Sequence, residues 1–507
     1  MESIDWNEKA KEIIKRELLK RGVSHVHLVE FLNAAGIEET KASIDNKIGR
    51  GTFSAAFLIQ CLSAIGCTTL PIDIMKNKVI NIHTHSERSQ GNIPYTDEKN
   101  KTRYIDTLPF KLSDSPEMTA ISLFSGAGGL DIGLEQAGFK TLACVDSEAD
   151  CRETLRHNRP EWLVFDNTEK GSETRDAGNI RDIEAHEILQ AVGKEKGQID
   201  LVVGGAPCQP FSNIGKKKGR EDEKNGDLFL EFVRMIKGIG PSAFIFENVA
   251  GITQKKHADV IKYMTEQFSG MDYAISHTVL NAANYGVCQR RERFFLIGIK
   301  GDKTPAFPLP THFKDKDSWD SFTKYFNQKP LGVPAPWMTL KELLDGLPPN
   351  YKKRNDYAVM NISEKVENRM RFISQGENFK VLPMEMRPNC WKSGKHLGSD
   401  TFGRLVEALP SVTIRTAAYN PSKGRYIHPR ENRGLDTVEM SAIQGFPFDW
   451  EFKSVNRSRV TLVSAGKQIG NAVPPPLAKA LGLAIKIQLI HQEQASDAEP
   501  LELVAQS

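Results

Sequence analysis

Between residues 118 and 300, short apolar runs alternate with longer stretches of helical periodicity, a rhythm that a chain satisfies by building a mostly parallel sheet with helices on its faces. The strand-like runs fall at 120–124, 141–145, 200–204, 243–247, 274–280 and 294–299. At 507 residues and 39% hydrophobic, the chain can bury a large core, which argues against wholesale disorder. Lys and Arg number 67 against 64 Asp and Glu, so the net charge is only +3. That balance excludes a histone-like polycation but leaves room for a local basic cleft. No uncharged apolar run reaches the roughly 20 residues a bilayer span needs. The first 20 residues are charged throughout, unlike a signal peptide, so a cytoplasmic protein is expected. Seven scattered cysteines with no CxxC spacing indicate neither a disulfide framework nor a metal site.

Around this α/β block the composition changes. Residues 1–75 read as a helical domain. Trp6, Ile13, Ile14, Leu18 and Leu19 recur at helical spacing until Gly22, and further helices are expected over 25–35, 38–48 and 53–65. Two short helices joined by a Gly-containing turn suggest a helix-turn-helix; a small packing or dimerisation bundle fits the same pattern. Residues 76–117 turn polar and read as a linker, and 118–300 hold the sheet. Residues 301–430, rich in Pro and aromatics, are expected to form a separate lobe of short strands and loops. Helix-forming sequence returns over 431–492, before a flexible tail at 493–507.

Four motifs stand at strand ends. After the first strand comes Phe124-Ser125-Gly126-Ala127-Gly128-Gly129, where glycines between strand and helix admit a ligand close to the backbone. About 20 residues on, Asp146 and Glu148 follow the next strand, where a carboxylate can accept ribose hydroxyls. The third strand runs into Gly204-Gly205-Ala206-Pro207-Cys208-Gln209-Pro210, a rigid turn presenting a thiol that needs ionisation to act as a nucleophile. Glu247, in Phe246-Glu247-Asn248-Val249, ends an apolar strand; partial desolvation should raise its pKa and suit it to proton donation. Finally, Gln289-Arg290-Arg291-Glu292-Arg293 leads into a strand and puts Arg291 and Arg293 on one face, able to clamp a phosphate or a base carbonyl. Each motif alone also has a structural reading: a tight turn, an inert cysteine, a capping glutamate, a solvated charge run.

Taken in order, and joined by Gln444-Gly445-Phe446-Pro447 and Gly470-Asn471-Ala472-Val473-Pro474, these blocks resemble the DNA (cytosine-5)-methyltransferase family over residues 119–482. The resemblance implies a Rossmann-like sheet that binds S-adenosylmethionine, with a smaller target-recognition lobe, here following an all-α helix-turn-helix-like domain. It implies Cys208 as the nucleophile at C6 of a flipped-out cytosine, Glu247 as the group protonating N3, Arg293 beside the base carbonyl and Arg291 supporting the pocket. For the cofactor it implies Phe124, Gly126, Gly128, Gly129, Asp146, Glu148, Asn179, Ile180, Pro207, Leu228, Asn471 and Val473. Asn179 departs from the family's usual Asp, although an amide oxygen can still accept from an adenine amine. Gln209, Ser212, Lys216, Lys217, Lys218 and Arg220 are the implied DNA contacts, the lysines on a loop that closes over the duplex. A monomer acting on double-stranded DNA at the nucleoid, orphan or paired with a cognate restriction endonuclease, is the leading expectation. Two alternatives remain: a tRNA cytosine-5 methyltransferase, and a non-catalytic DNA-binding regulator.

Overall fold

The expected apolar runs do become strands, and their side chains alternate between two hydrophobic cores, as the period-2 geometry of a strand buried on both faces requires. The computed structural model describes residues 23–34, 37–50, 53–65, 102–107, 115–166, 177–206, 228–253, 258–268, 270–326, 334–392 and 400–497, with isolated positions among 10–18, 70–80 and at 112. Two compact units result, Met1–Asn92 and Ile93–Ser507.

In the larger unit the sheet is formed by β1 (Met118–Leu123), β2 (Phe139–Val145), β3 (Leu163–Val164), β4 (Leu201–Gly204), β5 (Ala243–Val249), β6 (Tyr273–Asn281) and β7 (Glu292–Lys300). Their order is β3-β2-β1-β4-β5-β7-β6. The first five are parallel; β7 runs antiparallel to both β5 and β6. The direction of winding reverses beside β1, which opens a crevice at the carboxyl ends of β1 and β4.

On one face, Ala120, Leu201, Val203, Ala243, Ile245, Phe295 and Ile297 pack against Leu134 and against Leu477, Leu481 and Ile485. Leu134 lies on α4 (Gly129–Gln136) and the others on α14 (Pro475–Asp497). On the opposite face Ile121, Leu123, Val202, Phe244, Phe246, Phe294 and Leu296 meet Ile188 and Leu189 of α6 (Ala185–Ala191) and Phe232, Met235 and Ile236 of α7 (Leu228–Ile239). The segment 462–494 is apolar and long enough to cross a membrane, but 67% of an 18-residue apolar window within it is buried inside the protein. It serves as core here, with α13 (Leu462–Asn471) and α14 separated at Pro474.

A third core joins the glycine loop and α5 (Ala149–Asn158) to the end of the chain: Ala127, Ile132 and Leu155 pack with Ile414, Tyr426, Met440, Ile443 and Trp450. Met440 and Ile443 belong to α12 (Thr437–Gln444), whose Asp436–Glu439 capping box holds its first turn. Residues 301–430 are mainly short helices and turns, including α9 (Lys316–Phe326), α10 (Leu340–Asp345) and α11 (Glu364–Met370). The short strands expected there occur as Ala306–Pro308, His312–Phe313 and Ala335–Pro336. Met370, Ile373, Phe379, Leu382, Trp391, Phe402 and Ile427 form a small core of their own in this stretch. The connector is not wholly irregular: Arg103–Ile105 pairs in parallel with Ala306–Pro308, and Tyr104 is buried in the main core.

The N-terminal unit holds α1 (His25–Ala34), α2 (Lys41–Arg50) and α3 (Ala55–Ala64), close to the expected helices. Ile13, Ile14, Leu18, Leu28, Leu32, Ile44, Ile48, Phe57, Cys61 and Leu62 form its core. In the larger unit, α8 (Ala258–Glu266) connects β5 to β6.

Candidate active site

The turn after β1 is shaped by backbone conformation. Phe124 has φ 55° and Gly126 φ 57°, both left-handed, so the chain doubles back at the crevice and leaves open space where a Gly126 side chain would stand. Asp146, just beyond β2, accepts the Gly126 N–H at Oδ2 (2.7 Å) and the Glu148 N–H at Oδ1 (2.8 Å). The carboxylate is thereby oriented, and each oxygen keeps a lone pair for a hydroxyl donor. Arg152 donates to the carbonyls of Asp146 and Ala177, both at 2.9 Å, drawing residues 177–180 alongside. Only glycine fits at 178: its φ is 70°, and a Cβ would lie 2.1 Å from the Asp146 carbonyl oxygen. Asn179 Oδ1 accepts the Arg181 N–H at 3.2 Å, so this oxygen caps a local turn. Ile180 is buried in the core, and Leu228 is half-buried at the start of α7. Glu148 is exposed and paired with Lys467 of α13 at 2.8 Å.

The last sequence block closes this cradle from behind. A Cβ on Gly129 would lie 2.3 Å from the Val473 carbonyl oxygen, so the two backbones touch. Gly128 provides the left-handed N-cap of α4. Val473 is buried, and Asn471 is exposed at the carboxyl end of α13.

Asp131 lies in the first turn of α4, fully buried, with no partner at Oδ2 and the Cys144 thiol 3.9 Å from Oδ1. Burial pushes its pKa up to about 6. A carboxyl raised in the fold contributes stability that is complete below the unfolded value near ~3.9 and is lost as pH climbs through 6. Asp131→Asn should therefore remove about 2 kcal/mol of pH dependence between pH 4 and pH 7. Urea unfolding of both proteins across that range measures it; parallel curves would refute the assignment.

The second cluster sits where β5 and β7 pair. Glu247 is opposite Phe295 and Val249 opposite Arg293, so Glu247 and Arg293 are diagonal neighbours on one face. Arg293 Nε lies 3.0 Å from Glu247 Oε1. Burial raises the Glu247 pKa, against which Arg293 and Arg291 act in the opposite sense. A Cβ on Gly205 would stand 2.8 Å from Glu247 Oε2, so the strand-end glycine keeps the space over the carboxyl clear. On the other face of β5, Asn248 is buried and donates from Nδ2 to the Ala206 carbonyl at 3.2 Å, fixing the backbone just before Pro207. Pro207, Cys208, Gln209, Ser212, Lys216, Lys217, Lys218 and Arg220 lie outside the described residues.

Arg291 is only 1% exposed and does not reach Glu247; it donates to the carbonyls of Ile414 (2.9 Å), Gly470 (2.8 Å) and Ala472 (3.0 Å). Gln289 assists: its Oε1 accepts the Ile414 N–H at 2.8 Å and its Nε2 donates to Gln444 Oε1 at 2.8 Å. Gln444 in turn donates to the Ala472 carbonyl. The Gln-Arg motif thus splits its work: Arg293 faces the carboxyl while Gln289 and Arg291 tie three distant segments together. Gly205, Asn248, Gln289 and Gln444 lie inside the sequence blocks, yet their neighbours along the chain disclose no role for them.

The family described as C-5 cytosine-specific DNA methylase matches residues 118–487, and a domain of unknown function, DUF6471, matches residues 6–70. The Type II methyltransferase M.PspPI of Psychrobacter sp. is 33% identical over 404 residues, 77% of this chain and 86% of that protein. M1.HphI of Haemophilus parahaemolyticus, also a Type II methyltransferase, is 31% identical over 73% of this chain and 86% of its own length. The crystal structure of an E. coli prophage protein assigned as a DNA modification methyltransferase superposes with a TM-score of 0.51 at 22% identity, covering 74% of this chain and 99% of that one, and shows the same fold. The chain belongs to the C-5 cytosine-specific DNA methylase family.

Proposed function

We propose that this DNA cytosine-5 methyltransferase acts on a cytosine extruded from duplex DNA, with Cys208 as nucleophile and Glu247 as the proton-holding group. The observation that carries the reading is the buried Glu247–Arg293 pair beneath Gly205, at the strand ends that lead to the Pro-Cys-Gln-Pro turn. Methyltransferases of this family use S-adenosylmethionine, which supplies an electrophilic methyl group when bound. The open space at Gly126 and the oriented Asp146 carboxylate fit such a group: Phe124, Gly126 and Gly128 would flank it, and Asp146 would accept from its ribose.

The remaining chemistry belongs to the protein. C5 of cytosine is a poor nucleophile until a thiolate adds at C6. The Cys208 sulfur forms a bond to C6, the C5–C6 π pair moves to C4–C5, and the C4–N3 π pair moves onto N3, where negative charge builds. A neutral Glu247 carboxyl donates its proton there and removes that charge. Arg293, held beside Glu247, is suited to donate from its remaining N–H groups to the base's carbonyl oxygen. After C5 is methylated, N3 returns its proton to the Glu247 carboxylate, a base takes the C5 proton, and the electron pair of that C–H bond re-forms C5=C6 as the C6–S bond breaks and the thiolate leaves. Extruding the base costs a few kcal/mol, which contacts from residues such as Lys216, Lys217 and Lys218 would offset.

Bisulfite sequencing of DNA and RNA from cells expressing the protein tests this reading. A short DNA motif should carry modified cytosine, and Cys208→Ser should erase it; marks confined to tRNA would overturn the assignment. A duplex containing that motif with 5-fluorocytosine at the target should trap the wild-type chain covalently. The Type II names of the relatives favour a modification role with a partner nuclease, which the same motif would reveal as the site protected from cleavage.

A further inference from the structure

Arg152 is a costly residue where it stands. It lies in the first turn of α5, where the positive end of the helix dipole disfavours a cation, and it is only 7% exposed. Among the described residues its buried Nε finds no hydrogen-bond partner. A chain shaped for stability alone would place an acid or a small polar residue at such a position. What offsets these costs is the work of one nitrogen: Nη1 donates to the carbonyls of both Asp146 and Ala177, each at 2.9 Å.

Those carbonyls belong to the two walls of the crevice beyond β1. On one wall Asp146 offers its oriented carboxylate. On the other, the Gly178 N–H is fastened to the Asp166 carbonyl at 3.1 Å, and the chain leads on into Asn179 and Ile180. Asp166 itself pairs with Arg156, one turn further along α5, so the helix holds the second wall at two points. The junction is tight: a Cβ on Gly178 would stand 2.1 Å from the Asp146 carbonyl oxygen and 3.1 Å from Arg152 Nη1. Arg152 also shapes the field at the Asp146 carboxyl. Burial pushes that group up, the Glu148 and Gly126 N–H groups pull it down, the Glu148 charge raises it and the Arg152 charge lowers it. Asp131 of α4, Cys144 of β2, Cys151 of α5 and Lys467 of α13 share this field, but the Lys467 charge is already answered by Glu148 at 2.8 Å.

We propose that Arg152 is a positioning residue for the nucleoside half of the methyl donor, acting through Asp146 and Gly178 to hold the two walls together without touching the donor itself. The inference rests on the reading that this crevice takes S-adenosylmethionine. Full-length protein titrated with S-adenosylhomocysteine by calorimetry, from about pH 5 to pH 8, tests it. Arg152→Met should raise the Kd by about tenfold or more, and in methyl transfer the loss should fall on KM for the donor and not on kcat. Asp146 accepts best as a carboxylate, so affinity falls as pH drops through its pKa, and losing the cation should move that fall upward by about one pH unit. Arg152→Lys should recover most of the affinity, because both hydrogen bonds leave a single nitrogen, and should keep the wild-type pH midpoint. Gly178→Ala pries the same walls apart from the other side. It should weaken binding by a similar factor, and the double variant should be no weaker than the weaker single, since both act at one junction. This second variant decides the matter should Arg152→Met lose the wild-type circular dichroism. An unchanged Kd in Arg152→Met or Gly178→Ala, or a kcat that falls as far as the affinity, would overturn the inference. So would Lys and Met variants that are equally weak with unshifted pH midpoints, since Arg152 would then be packing alone. Wild-type protein that bound no S-adenosylhomocysteine at any pH would show a different failure, that of the methyl-donor reading beneath the inference.

Discussion

Glu247→Gln should lower the single-turnover methylation rate by about 10²–10⁴-fold while the circular dichroism spectrum stays that of the wild type. An amide keeps the shape of the side chain and can accept from Arg293 Nε, 3.0 Å away, but has no acidic proton to give to the base. The wild-type pH dependence carries a matching signature. Burial raises the Glu247 pKa, so the proton-bearing form persists above the usual carboxylate range and is lost as pH rises through the folded value. The rate should therefore fall on the alkaline side through this group, superimposed on the opposite demand of Cys208 for deprotonation. In Glu247→Gln the alkaline fall disappears. Full activity in the variant would remove Glu247 from the chemistry.

Arg291→Met should cost about 3–5 kcal/mol of stability in urea unfolding. The guanidinium is fully enclosed and its hydrogen-bond partners are carbonyls of Ile414, Gly470 and Ala472. Methionine fills part of the volume and satisfies none of them. Each orphaned acceptor costs about 1–3 kcal/mol, partly offset because a buried charge is no longer desolvated. Arg291→Lys should fall between, since a single ammonium cannot span acceptors that the planar fork reaches together. A loss below about 1 kcal/mol would mean that these segments hold together without the latch.

These residues also show what a linear reading can and cannot reach. The strands were legible because each is a short apolar run, and both cores follow directly from alternation along β1, β4, β5 and β7. β3 escaped notice because two residues make no pattern, and the connector strand Arg103–Ile105 because its partner is Ala306–Pro308. Glu247 and Arg293 could be picked out since each stands at the end of an obvious strand. Asn248, Gln289 and Gln444 could not. Their partners lie 42, 155 and 28 positions away, and nothing local distinguishes a buried amide from an exposed one. The lobe after residue 300 is held by groups such as Arg404, which donates to the carbonyls of Met370, Ile373, His428 and Glu431. Side-chain donors of that kind stabilise turns without periodicity, so beside the expected short strands the stretch holds helices and turns that no local pattern announces. Asn179, read as an adenine partner, has its oxygen directed to the Arg181 N–H.

The closure of the main core by α14 has a consequence for biosynthesis. Lys486 donates to the Gly138 carbonyl across 348 positions, and Leu477, Leu481 and Ile485 cover the sheet face that β1 begins. At a translation rate of about 5–20 residues per second, a ribosome leaves that greasy surface uncovered for roughly 20–70 s. A truncation that removes Leu477, Leu481 and Ile485 should leave that face bare and partition to the insoluble fraction on expression, and a soluble, folded product would refute this.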